Sequence, residues 1–189
     1  MDQGNLLRKL LESLESAGVE YILVGSVASA AFGEPRLTLD IDVVAALTPA
    51  RLPRFLACFP EPEYYVSREA ATDAVERRRQ FNIIHPASGL KVDVIVKKAD
   101  EFDRSRFRRK RNLAIFHDRT AFVASPEDVI VKKMEYFQRG GSEKHLRDIA
   151  GIIKISGKEL DIVHIERWAS RKGLAEIWRA ILSKTKGGK

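Results

Sequence analysis

Residues 36–47 read "RLTLDIDVVAAL", and two aspartates inside that run decide how the chain is read. Leu39, Ile41, Val43 and Val44 predict a buried strand, yet Asp40 and Asp42 interrupt it. Successive strand side chains point to opposite faces, so the two carboxylates share one face with their Cα atoms about 6.6 Å apart. Ile41 and Val43 then point into a core. Two like charges on one face repel, and burying either one unpaired is costly. The face therefore calls for a cation. Hard carboxylate oxygens at this spacing suit Mg²⁺, which typically takes one or two carboxylates plus substrate phosphates. A solvated strand end, or an ion pair with Arg36, is the alternative reading of the aspartates taken alone.

Two neighbouring stretches favour the metal. Upstream, "VGSVASA" reads as a strand that ends at Gly25 and leads into a helix with Ser26 as its N-cap. Free N–H groups at such a helix start bind phosphate oxygens, and glycine permits close approach. Downstream, Asp93 interrupts the apolar strand "LKVDVIV". A third carboxylate on a neighbouring strand would complete a site for two metal ions, which at about 3.5–4 Å apart stabilise both the entering and the leaving oxygen of a phosphoryl-type displacement.

The remaining chain alternates helix and strand up to residue 125. Leu6, Leu7, Leu10, Leu11 and Leu14 recur at helical spacing, and "VEYILVG" is a strand. "PARLPRFLACF" predicts a helix with Pro53 in its first turn, "EYYV" a short strand, and "SREAATDAVERRR" a helix. "QFNIIHP" and "LKVDVIV" predict a hairpin through "ASG", "DEFDRSRFRRK" a helix, and "NLAIF" with "TAFVAS" a further strand pair. Beyond Pro126 the pattern is helical apart from the terminal "TKGGK", read as disordered. The expectation is an α/β core over residues 1–125 and a helical subdomain over 126–189.

Composition narrows the class. The chain has 189 residues, 44% hydrophobic and 31% charged, which suits a globular protein with a substantial core. Its single cysteine excludes an internal disulfide and fits a reducing cytoplasm. No run reaches the roughly 20 apolar residues of a membrane span, and the N-terminus lacks the continuous apolar core of a signal peptide. A net charge of +7 favours polyanionic partners, and "RSRFRRKR" and "VERRR" concentrate it. The four histidines lack metal-ligand spacing, and Trp168 and Trp178 read as core.

"GSVASAAFGEPRLTLDIDVV" followed by "KVDVIV" resembles the nucleotidyltransferase (DNA polymerase β) superfamily, especially small prokaryotic members such as AbiE-type toxins. The segment "SPEDVIVKKMEYFQRGGSEKHLRDIAGII" extends the resemblance, which covers most of residues 19–155. It implies a mixed β-sheet with flanking helices and a nucleotide held over the sheet edge. It implies that Asp40, Asp42 and Asp93 are the catalytic, metal-binding carboxylates for two Mg²⁺ ions, and that Gly25 and Ser26 contact the phosphates of an NTP such as ATP. The segment 49–79 is longer than the family pattern and is read as an insertion that shapes the acceptor site.

Lys133 stands out independently. On a helix from Pro126 it falls within the apolar face of Ile130, Met134 and Phe137, whereas Lys132 points to solvent. A lysine there needs an anion, either a nucleotide phosphate or an aspartate such as Asp148, unless it snorkels from the edge of the arc. By period 2, Arg36 and Thr38 share the aspartates' face and are candidates to touch the triphosphate. The expected activity is transfer of a nucleoside monophosphate to an acceptor hydroxyl on RNA or protein, with a cognate protein of a toxin–antitoxin pair as a further partner. The alternatives are a small-molecule acceptor and a non-catalytic binding role.

Overall fold

The computed structural model describes residues 1–34 and 39–186. Arg36, Thr38 and the last three residues of the "TKGGK" tail lie outside them. The chain divides into two compact units, residues 1–26 with 37–123 and residues 27–36 with 124–189.

The first unit is built on a sheet that has six strands among the described residues: β1 (Tyr21–Leu23), β2 (Asp40–Ala45), β3 (Gln80–His85), β4 (Leu90–Val96), β5 (Arg111–Phe116) and β6 (Arg119–Val123). Their spatial order is β3-β4-β2-β1-β6-β5. The pairs β2–β4 and β1–β6 are parallel, and the other three are antiparallel. This is the mixed sheet with flanking helices that the family resemblance implies.

Helix α1 (Gln3–Ser16) starts where the Asp2 carboxylate accepts the Asn5 backbone N–H, and all five of its periodic leucines are buried. Its polar side is tied to the β5–β6 hairpin. Arg8 makes a forked pair with Asp118, and Arg119 bonds Glu12 and Glu15. Between β2 and β3 lie α3 (Leu52–Leu56) and α4 (Arg68–Arg77). The 49–79 segment contributes core: Phe55, Phe59, Tyr64 and His85 stack edge to face, with centroids 5.3, 5.3 and 5.6 Å apart along the series. Helix α5 (Glu101–Arg109) follows β4. In its basic run, Arg106 is buried against Asp103 at 2.9 Å and Lys110 pairs with Glu20 at 2.8 Å.

Some local expectations shift. Leu39 is exposed, because the strand starts only at Asp40. "EYYV" contributes one bridge, Tyr65 to Ile84, because the Phe59–Tyr64 stacking claims the rest of the turn. Helix α2 (Gly25–Phe32) begins at Gly25 rather than after Ser26, so Ser26 lies inside its first turn and is not the cap. The φ of +60° at Gly25 turns the chain straight from strand into helix.

The second unit holds α6 (Pro126–Gly140), α7 (Glu143–Ser156), a 3-10 turn (Gly157–Glu159), α8 (Ile162–Arg171) and α9 (Ala175–Lys186). Ile130, Met134, Ile149, Ile152, Ile165, Trp168 and Trp178 form its core. The Ser156 hydroxyl donates to the Phe32 carbonyl, and Lys154 pairs with Glu34, which ties the end of α2 and Glu34 to α7. Ser125 donates to Asp128, whose other oxygen meets His164 Nε2 at 2.8 Å. Arg167 donates to His164 Nδ1, so the ring proton sits on Nε2, which donates a hydrogen bond to Asp128. None of the described helices is long and apolar enough to cross a membrane.

Lys132 does not point to solvent. It pairs with the largely buried Glu135, which also takes Lys172 at 2.9 Å. Burial pushes the Glu135 carboxyl up, but hydrogen bonds and charge from the two lysines outweigh it and hold it below the usual range. A lowered folded pKa means a stabilisation present above the unfolded value and lost as pH falls through the folded one. Glu135→Gln is expected to unfold at lower urea than the parent near neutral pH, with the gap closing as pH drops below about 4.3. Urea midpoints by circular dichroism across that range check it, and a gap that stays constant would contradict it.

Candidate active site

The site is set by sheet register. β2 and β4 run parallel with Asp42 opposite Asp93 and Asp40 opposite Lys91. β3 adds Asn82 opposite Asp93. One row across the sheet is thus Asn82, Asp93 and Asp42, and the adjacent row holds Lys91 and Asp40. The reverse face is apolar: Ile41, Val43, Val92 and Val94 are fully buried. The clean alternation of β4 follows directly from "LKVDVIV".

The structure brings Asp40, Asp42 and Asp93 to one face, with Gly25 against Asp42 and Ser26 next along the chain. The Val24 N–H donates to the Asp42 carbonyl at 2.9 Å and extends the ladder to the turn. A Cβ at residue 25 would stand 2.8 Å from Asp42 Cβ and overlap its carboxylate. Glycine is therefore required twice there, for space and for the positive φ. Ser26 is buried.

Two residues of this face were not read as functional from sequence. The Lys91 ammonium lies 3.1 Å from Asp93 Oδ1 and 3.6 Å from Asp40 Oδ1, bridging the two carboxylates. Burial lowers its pKa, but hydrogen bonds and charge from Asp93 and then Asp40 outweigh that, and the net shift is upward. Asn82 donates its side-chain amide to the same Asp93 oxygen. Both were legible in principle, since Lys91 lies two residues before Asp93 and Asn82 lies across the hairpin.

Asp93 is mostly covered, its side chain 13% exposed, while Asp40 is half exposed at 50%. Among the described residues no three His, Cys, Asp or Glu side chains converge to hold one ion. The donors nevertheless fit a hard divalent ion in kind: all three are carboxylates, and two of them already share a cation.

Lys133 lies in the other unit, buried on α6 and paired with Asp148 of α7. Of the two anions considered for it, the aspartate is in contact.

No protein-family model matches the chain, and no curated protein matches it in sequence. Solved structures do match. The antibiotic-resistance factor ANT(2'')-Ia, in complex with adenylyl-2''-tobramycin, superposes with a TM-score of 0.63 at 16% identity, over 90% of this chain and 98% of that one. The lincosamide antibiotic adenylyltransferase LnuA, lincomycin-bound, gives 0.55 at 13% identity, over 82% and 98%. An antigenic nucleotidyltransferase-like protein from Paracoccidioides brasiliensis gives 0.55 at 18% identity, over 94% and 89%. The chain has the fold of these nucleotidyltransferases.

Two substitutions test the local physics. Gly25→Ala is expected to lose at least about 2 kcal/mol of stability, from left-handed backbone strain plus the clash with Asp42; urea unfolding equal to the parent would refute the close approach. Lys133→Ala is expected to cost about 3–5 kcal/mol because it strands the buried Asp148. The double variant Lys133→Met with Asp148→Leu should lose much less, and equal losses would show that the charge pair is not the issue.

Proposed function

We propose that this protein is a Mg²⁺-dependent nucleotidyltransferase that moves a nucleoside monophosphate from an NTP to an acceptor hydroxyl. One observation carries the reading: Asp40, Asp42 and Asp93 share one sheet face beside the Gly25–Ser26 turn, on a fold that known nucleotidyltransferases share.

Asp40 and Asp42 would hold two ions with the triphosphate, and Asp93 one of them. When bound, the ions neutralise the triphosphate and favour the ionised acceptor oxygen. The turn at Gly25 and Ser26 offers backbone N–H groups to the phosphates. Asp93 takes the acceptor proton as general base. The acceptor oxygen bonds to the α-phosphorus, the bond to the β-phosphate oxygen breaks, and pyrophosphate leaves. The covered position of Asp93 supports this role, because Asn82 fixes the carboxylate at one oxygen. Arg36 and Thr38 are proposed as further contacts to the nucleotide.

The net charge of +7 supports a polyanionic acceptor, RNA of tRNA-like form, or a protein in an AbiE-like toxin–antitoxin pair. Two structural neighbours support a second reading, a small hydroxylated acceptor, since one is bound to adenylyl-2''-tobramycin and another is lincomycin-bound.

The test is incubation with each labelled triphosphate, Mg²⁺ and cell extract. The parent should label one class of species, and that class names the acceptor. Asp93→Asn should keep triphosphate binding by calorimetry yet transfer at least about 10³-fold more slowly, about 4 kcal/mol of transition-state stabilisation. Transfer at the parent rate would remove Asp93 from the mechanism. A parent that neither binds triphosphate nor labels anything would leave only a non-catalytic binding role.

A further inference from the structure

We propose that Lys91 is a built-in counter-cation that holds the metal position of this site until a divalent ion displaces it, so that metal loading depends on arrival of the triphosphate. The inference rests on the nucleotidyltransferase reading above and concerns how its site is kept closed to bare ions.

The geometry points to Lys91 for three reasons. Its ammonium contacts two of the three carboxylates at once, Asp93 Oδ1 at 3.1 Å and Asp40 Oδ1 at 3.6 Å. It comes from β4 itself, directly opposite Asp40 and two residues before Asp93, so the sheet register fixes its base beside both. And the carboxylates are divided: Lys91 gathers Asp40 and Asp93, while the Asp42 side chain stands in the space over Gly25. That division accounts for why no three acidic side chains converge among the described residues.

An ammonium and a divalent ion cannot occupy one carboxylate pocket together. With Lys91 in place, one of the three formal negative charges is cancelled and the pull on a bare ion is weaker. A triphosphate brings its own oxygens as further ligands, which makes displacement of the ammonium favourable. Lys91 is thus a positioning residue: it orders Asp40 and Asp93 in the resting state and sets the threshold for metal binding.

The experiment titrates MnCl₂ alone into the parent, Lys91→Met and Lys91→Arg, reading bound Mn²⁺ by electron paramagnetic resonance, with thermal unfolding as a check of fold. Lys91→Met keeps the side-chain length without the charge. It is expected to bind Mn²⁺ at least about 10-fold more tightly than the parent, given an adjacent like charge screened by water. Lys91→Arg should stay close to the parent. Adding ATP should tighten Mn²⁺ binding strongly in the parent and only slightly in Lys91→Met. Equal Mn²⁺ affinity in parent and Lys91→Met overturns the counter-cation role and leaves the proposed function standing. No Mn²⁺ binding by any form, with or without ATP, overturns both. If Lys91→Met does not fold, the parent decides: with ¹³Cε-labelled lysine and Lys91→Arg for assignment, the Lys91 signal should shift on adding Mg²⁺ with ATP and move little with ATP alone. A Lys91 signal unmoved by Mg²⁺ with ATP overturns the proposal.

Discussion

Everything at the candidate site depends on the parallel register of β2 against β4, which sets Asp42 beside Asp93. A slip of one residue would turn Asp93 into the core and bring Val92 or Val94 out in its place. The slip is blocked from the other side of the sheet. Ile41, Val43, Val92 and Val94 are fully buried, and Phe81 and Ile83 of β3 join them. The apolar face therefore fixes the chemistry of the polar face without touching it. The 49–79 segment strengthens this control, because its aromatic series ends on His85 of β3.

The polar face is poorly arranged for stability alone. Three carboxylates on adjacent strand positions repel, and apolar residues there would avoid the cost. The structure limits the conflict with Lys91, with the amide of Asn82, and by leaving Asp40 half exposed. Gly25 gives up a side chain so that Asp42 can stand over the turn. Local departures of this kind from the best-packed arrangement are expected where a fold carries a site.

The helical unit handles buried charge differently. Lys133 with Asp148, and the series Ser125, Asp128 and His164, are matched donor to acceptor inside the unit. The basic run of α5 is similarly drawn inward, with Arg106 and Lys110 paired to acids of the first unit. Those two cations are less available to an RNA backbone than a count of charges suggests.

The sequence by itself determined the alternation of strands and helices and the shared face of Asp40 and Asp42. It also determined the hairpin carrying Asp93 and the buried place of Lys133. These follow from side-chain periods of 2 and 3.6, which local chain geometry enforces. Where elements begin and end was less legible: Leu39 belongs to the apolar pattern yet lies exposed, and α2 starts at Gly25 because one positive φ replaces a cap. Only the tertiary structure decided which cation meets the aspartates. Lys91 and Asn82 share one hairpin, but Asp40 is far from both in the chain, and pairing of β2 with β4 brings it to them. Strand register is a long-range choice among competing pairings, settled by packing of the opposite face, and no local pattern around Asp40 contains it.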